Sequence, residues 1–254
     1  MNNKILIKKN KLETKTKEYI TIKQNSIIFK KDGDYALEYT DCDNISLDIY
    51  ISDGVNINLS IFSKENSLKI HNHYVLGTHS SLYLFQFYDY KNTTENSIVD
   101  LNGEFSKFEQ KFSSIVHEKM EYNMIVNHNK KNVISDITNK CIGKDNSTIT
   151  IKIDSVLEKG NIDCIMEQNS RILTLGDVNA KIIPNMFIEE NNVEARHGSI
   201  ISSFDEEEVF YLMSRGISRE ESINLLIKGF LFSNMKADLE KREFIMNSIL
   251  NMRR

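Results

Sequence analysis

No apolar run in this sequence approaches the roughly 18 residues that a transmembrane helix requires. Its opening, Met1-Asn2-Asn3-Lys4, leads into only three apolar residues and carries no secretory pattern. Cysteine is sparse as well. Cys42, Cys141 and Cys164 form an odd set without a CxxC, which reads as reduced thiols in a cytoplasmic protein and not as a disulfide framework. Positive charge is not concentrated: the net charge is −4, the pI is near 5.9, and the Lys-rich stretch from Lys4 to Lys17 is interrupted by Glu13. That stretch reads as a solvated edge, so a nucleic-acid surface is not expected. Proline occurs once, at Pro184, and interrupts little. What remains is ordinary for a globular chain: 254 residues, 40% hydrophobic and 27% charged. That suffices for one large domain with a small appendage, whose core needs neither disulfide nor structural metal.

Two textures divide the chain near residue 204. Before it, apolar residues alternate with polar ones, as in Ile45, Leu47, Ile49 and Ile51. Asp53-Gly54 marks a turn, after which Val55, Ile57, Leu59 and Ile61 resume the alternation. Similar short runs lie at 82–87, 124–126, 149–153, 162–166 and 171–175, separated by Asn, Asp, Gly and Ser. The pattern predicts an all-β region: a sandwich, a barrel or a solenoid. No repeat of fixed length is visible, so a solenoid would be irregular.

Beyond residue 204 the period becomes helical. Asp205 with Glu208 suggests a capping box, Phe204 can staple onto Val209, and Gly216 can end the helix. Ser218 with Glu221 suggests a second box, followed by an apolar stripe of Ile223, Leu226, Ile227 and Phe230. A third helix is expected from Lys236 to Met252, with Leu239, Met246, Ile249 and Leu250 inward.

Catalytic signatures fail on inspection. In the segment ending Cys141-Ile142-Gly143-Lys144-Asp145, a phosphate loop would need glycine at Thr138 and a hydroxyl at Asp145. His117-Glu118-Lys119-Met120-Glu121 lacks the second histidine of a zinc protease helix, and neither GxSxG nor GxGxxG occurs. His71 and His73 alternate on one strand face and, with His79, could bind metal; a polar solvent face is the favoured reading, since spacing fixes no further ligand. Cys141 and Cys164 are weak metal candidates, since isolated thiols are more often small buried residues.

Three stretches between Leu175 and Phe230 resemble one known family. They are Ile183-Pro184-Asn185-Met186-Phe187-Ile188-Glu189, then Val193-Glu194-Ala195-Arg196-His197-Gly198, then the run from Phe204 through Ser218 that contains Asp205-Glu206-Glu207-Glu208 and Ser214-Arg215-Gly216-Ile217. In order and spacing they are similar to the C-terminal signature of the SufB/SufD family. There a P-x-L-x-I strand, a V-x-C-S-H-G turn and a D-E-E-x-x-F-Y-L-x-S-R-G-I helix follow one another. A weaker similarity joins His128 through Ser135 to the family's H-x-A-P-N-T-x-S strand.

The resemblance implies a right-handed parallel β-helix over 1–203, its first twenty or so residues peripheral, and a small C-terminal α-helical domain over 204–254. It also implies a non-catalytic scaffold for iron–sulfur cluster assembly. Such a scaffold pairs with a SufB-like subunit or a second copy of itself and docks SufC-type ABC ATPases through its tail. The chain itself would bind no nucleotide, and any cluster would be transient and held between subunits. Residue by residue, His197 matches the histidine of the SufD turn, and Glu206, Tyr211, Arg215 and Gly216 match the docking helix. Ala195 stands where the family often has cysteine. Asn179 in Gly176-Asp177-Val178-Asn179 stands where SufB has cysteine, and Gly198 where SufB tends to have glutamate. The last two departures point to the SufD branch. Against the family pattern, the sequence is expected to be a short version with most of the N-terminal helical region missing. The competing expectations are a homodimeric iron or cluster carrier and a β-helix enzyme acting on polysaccharide; the latter wants paired carboxylates, which no pattern singles out.

Overall fold

A computed structural model describes residues 3–14, 20–23, 25–63, 67–233 and 239–251. Two antiparallel pairs open the chain: β1 (Asn3–Lys8) with β2 (Lys11–Thr14), and β3 (Ile20–Lys23) with β4 (Ser26–Phe29). From β5 (Gly33–Thr40) onward, the chain winds as a parallel β-solenoid of about 6 turns, each turn laying one strand on each of two faces. The sequence continues through β6 (Asn44–Ile51), β7 (Asn56–Ser63) and β8 (Ser67–Leu76). The next two strands, β9 (Ser81–Leu101) and β10 (Lys107–His128), are long enough to bend from one face onto the other. Four more follow: β11 (Ile134–Gly143), β12 (Thr148–Leu157), β13 (Cys164–Thr174) and β14 (Asn179–Ile188). The last is β15 (Val193–Ser202).

Register explains why no fixed repeat shows in the sequence. Tyr35, Leu59, Leu84, Gln110, Ile137, Gln168 and His197 lie opposite one another in that order, at separations of 24, 25, 26, 27, 31 and 29 residues. The variation is absorbed at the corners. One corner is held by residues in the left-handed region, Gly54, His79, Phe105, Asn132 and Asp163. Most of them donate a backbone N–H to the next turn, as Gly54 does to Thr78 O and His79 to Glu104 O. Asp53-Gly54 is therefore a solenoid corner joining different faces, not a hairpin.

The inward side of each strand builds the core. Ile5, Leu37, Ile61, Leu84, Phe108, Phe112, Ile151 and Ile153 are among its members, and all are buried. Each such aliphatic side chain contributes about 1.5–3 kcal/mol through its removal from water. The β1 strand shares in this core through Ile5 and Ile7. Polar groups lie inside too, and several of them are paired. Glu95, 0% exposed, accepts from Gln86 Nε2 at 3.1 Å and from Ser97 Oγ at 2.7 Å. His128 Nε2 meets Ser135 Oγ at 2.8 Å, while its Nδ1 donates to Val156 O at 3.1 Å.

Three helices finish the described chain: α1 (Glu206–Ser214), α2 (Arg219–Phe232) and α3 (Leu239–Asn251). At the start of α1, Asp205 accepts from the N–H of Glu207, where the sequence suggested a reciprocal box with Glu208. Gly216 at φ +86° ends α1, with Gly216 N bonding Met213 O and Ile217 N bonding Leu212 O. The Ser218–Glu221 box on α2 is present in both directions. Ile227, Leu231, Ile245 and Ile249 pack onto the outer side of one solenoid face, over Phe85, Phe87, Ile115, Ile142 and Leu173. That coverage is why residues 84–90 are buried without interruption: both sides of β9 are in contact. Leu250, expected inward, is 51% exposed, because Ile245 and Ile249 take the contacts on that helix. Lys236 and Met252, the expected bounds of the last helix, lie outside the described residues. No described helix is long and apolar enough to cross a membrane.

Candidate functional site

Among the described residues, the solenoid ends in two strands, β14 and β15, each paired on one side only. Backbone direction differs between them in a way that matters for association. Asn179 N bonds Ser147 O and Glu189 N bonds Leu157 O, so odd-numbered residues of β14 turn toward β12. Pro184 therefore costs no bond within the fold and removes one donor from the middle of the free edge. For β15 the parity follows from Ile165 N bonding Val133 O: odd residues of β13 face β11, and even ones face β15. In register, Glu194, Arg196, Gly198 and Ile200 are spent on that ladder. Val193, Ala195, His197, Ser199 and Ile201 present their N–H and C=O groups to the free edge. It contains no proline.

Large apolar side chains are exposed on these two end strands, Phe187 on β14 and Ile200 and Ile201 on β15. Phe187 is 55%, Ile200 52% and Ile201 48% exposed. His197 falls in the column of residues that point inward on every earlier turn, ending at Gln168. Because no further turn covers it, its side chain is exposed at the mouth of the solenoid. Ala195 and Ser199 flank it on the same side of the strand, so the ring has small neighbours.

The cysteines lie elsewhere. Cys141 is wholly buried in the core, and burial drives its thiol far above the ordinary range. Cys164 is buried at the corner, where its thiol donates to the carbonyls of Lys130 and Asn161 at 3.3 Å; burial raises it too. In both, burial works against the thiolate form that ligates metals. His71 and His73 do share the outer side of β8. There His73 bonds Asp100 at 2.7 Å, in a groove of about 280 Å³ with Asn96, Ile98, Asn123 and Ile125. His79 sits apart at the corner, stacked on Phe105 at 4.8 Å. Among the described residues, no group of three or more His, Cys, Asp and Glu is arranged to hold a metal.

The four tail candidates come together on the α1–α2 hairpin. Glu206 bonds Arg219 at 2.8 Å, the Arg215 guanidinium lies 5.3 Å from the Tyr211 ring centre, and Gly216 forms the turn between them. Of α1, only Val209 is buried. Phe210 at 72%, Tyr211 at 57% and Met213 at 42% exposure form an apolar patch that the sequence pattern did not single out. The clue lay in the stripe: one inward residue, Val209, leaves the neighbouring aromatics with nothing to cover them.

Comparison with known proteins gives the family. The profile described as "SUF system FeS cluster assembly, SufBD core domain" matches residues 8–230. The iron-sulfur cluster assembly protein SufD of Bacillus subtilis is 37% identical over 93 residues, which cover 35% of this chain and 20% of that protein. SufB of the same organism is 32% identical over 115 residues, covering 41% and 23%. A SufBD family protein of Archaeoglobus fulgidus is 32% identical over 109 residues, covering 42% and 28%. The matched stretches thus span less than a third of each relative's length.

Proposed function

Because this chain belongs to the SufBD core family of the iron–sulfur cluster assembly system, we propose that it is a scaffold subunit on which a cluster forms between two subunits. The observation that carries this reading is the unpaired β15 edge with His197 at its open mouth. A second solenoid, whether SufB-like or a copy of this chain, adds its own edge strand there through main-chain hydrogen bonds. Pairing covers Ile201 and brings His197 against the partner's surface. In that position a neutral imidazole ligates iron, and the partner supplies thiolate, since Ala195 and Asn179 offer none. The cluster is cargo, assembled and then passed on. The SufD-like departures at Asn179 and Gly198 support this division of labour.

The α1–α2 hairpin serves as the docking surface for a SufC-type ATPase. Phe210, Tyr211 and Met213 supply the apolar contact, and Glu206, Arg215 and the Gly216 turn supply its polar frame. Nucleotide chemistry stays with that partner. Anaerobic co-expression with an ATPase and a SufB-like chain tests the reading. The three are expected to co-purify with iron, and His197→Ala is expected to fold normally but lower the iron yield. A chain that remains monomeric and binds no ATPase in that experiment overturns the proposal.

A further inference from the structure

Gln168 lies directly beneath His197 in the ladder and is 1% exposed. Its amide nitrogen is fully engaged, donating to Ser155 Oγ at 2.7 Å and to the carbonyl of Asn185 at 3.1 Å, and so ties the two faces together. A backbone carbonyl can only accept, so this contact fixes which end of the amide is nitrogen. The other end, Oε1, is buried with no hydrogen-bond partner. A buried amide oxygen left without a donor costs about 1–3 kcal/mol, so it calls for one. The next residue in the column is His197, about 4.8 Å along the hydrogen-bonding direction, with small Ala195 and Ser199 beside it.

We propose that Gln168 is the positioning residue for His197: its Oε1 accepts the N–H of one imidazole nitrogen and leaves the other nitrogen's lone pair directed out of the solenoid mouth. This inference rests on the reading of His197 as an iron ligand and adds the group that orients it. An imidazole in water exchanges between two tautomers and rotates freely, so only part of its population presents a lone pair where a metal can meet it. A bond to Gln168 fixes both the tautomer and the ring plane. Partners of this kind change metal affinity by about 10–100-fold when removed. Gln168 itself touches no metal. Ser155 and the Asn185 carbonyl hold it in turn, so the orientation of His197 is set by contacts that cross from one face to the other.

The test reads the two ring nitrogens of His197 by long-range 15N–1H correlation NMR on the full, metal-free chain. A single tautomer is expected in the wild type, and a mixture of both in Gln168→Met, which keeps the volume but removes the amide. Anaerobic loading of the reconstituted complex with ferrous iron and sulfide should weaken about tenfold or more in that variant. A wild-type His197 that shows both tautomers overturns the proposal. So does a Gln168→Met spectrum in which the single tautomer persists. Should Gln168→Met fail to fold, the wild-type spectrum alone decides. The underlying reading fails separately: if His197 holds one tautomer but His197→Ala loads iron as well as wild type, His197 is no ligand although Gln168 positions it.

Discussion

His128 allows the interior of the solenoid to be tested by pH. Its ring is 1% exposed, donates from Nδ1 to Val156 O, and accepts at Nε2 from the Ser135 hydroxyl. Burial lowers its pKa from 6.5 to about 4, only partly offset by the backbone carbonyls of Val156 and Val126. The native state therefore keeps the ring neutral over a range in which the unfolded chain takes up a proton. Stability from this group is complete above the unfolded value of 6.5 and is lost as pH falls from there toward the folded value of about 4. A gap of that size corresponds to about 3 kcal/mol at 1.36 kcal/mol per pH unit. His128→Gln retains a donor and an acceptor but does not titrate. Urea unfolding of both proteins between about pH 7 and pH 5, above the range where most carboxylates protonate, reports the difference. The wild type should lose stability relative to the variant with a slope approaching 1.4 kcal/mol per pH unit. Parallel curves through that interval would refute the assignment of a neutral buried imidazole.

Glu95 should behave with the opposite sign. Burial raises its carboxyl above 4.5, against the pull of bonds from Ser97, Gln86 and Tyr88, so its cost appears as pH rises from 4.5 toward the folded value. Glu95→Gln is therefore expected to gain stability over wild type at neutral pH and to lose that advantage in acid, as read by the same urea titrations. Gly103→Ala should destabilise by about 1–3 kcal/mol, because a methyl there meets the Gly77 and Thr78 backbone of the preceding turn; a thermal melt matching wild type would contradict the corner packing. Phe210→Ala with Tyr211→Ala should leave the melting temperature unchanged, since both side chains are exposed, while weakening ATPase binding by tenfold or more; undiminished binding by calorimetry places the docking surface elsewhere. Ser199→Pro removes a donor from the free edge only, whereas Gly198→Pro removes one from the β13 ladder. The first should abolish pairing in analytical ultracentrifugation with folding retained, and the second should lower stability.

Much of the fold was legible because period 2 survives wherever one side of a strand meets solvent. Ile45 to Ile51 and Val55 to Ile61 fall on the inner side as the alternation predicts. It fails where helices cover the outer side. In β9, Leu84 through Tyr90 are all buried, and Phe85 and Phe87 serve a second cluster that no local pattern announces. The solenoid itself was hidden by turn lengths that drift from 24 to 31 residues and by corners that place His79, Phe105, Asn132 and Asp163 in left-handed geometry where glycine would have been the visible marker. His128 and Ser135 stood out as part of a family-like strand; only the structure shows that they bond each other inside the fold. His197 was likewise legible by resemblance. Its exposure was not, because the sequence cannot tell that the column ending at Gln168 has no further turn above it.

The placement of the tail bears on how an external motor could act on the edge. The helices rest on Phe85, Phe87, Ile115, Ile142 and Leu173, and Leu173 belongs to β13, the strand to which β15 is bonded. Thr174, one residue on, bonds Ser202 O at the end of β15. Under the proposed docking, a load at Phe210 and Tyr211 would reach the free β15 edge through α2, the sheet beneath it and one further strand, a step of about 4.8 Å. No long pathway is needed, because the elements between the two surfaces are in direct contact. The same geometry argues against deleting the tail to test docking. Without α2 and α3, the phenylalanines of β9 face water, and loss of binding could not be separated from loss of fold. Substitutions confined to α1 avoid that ambiguity, because Val209 is the only residue of that helix buried in the structure.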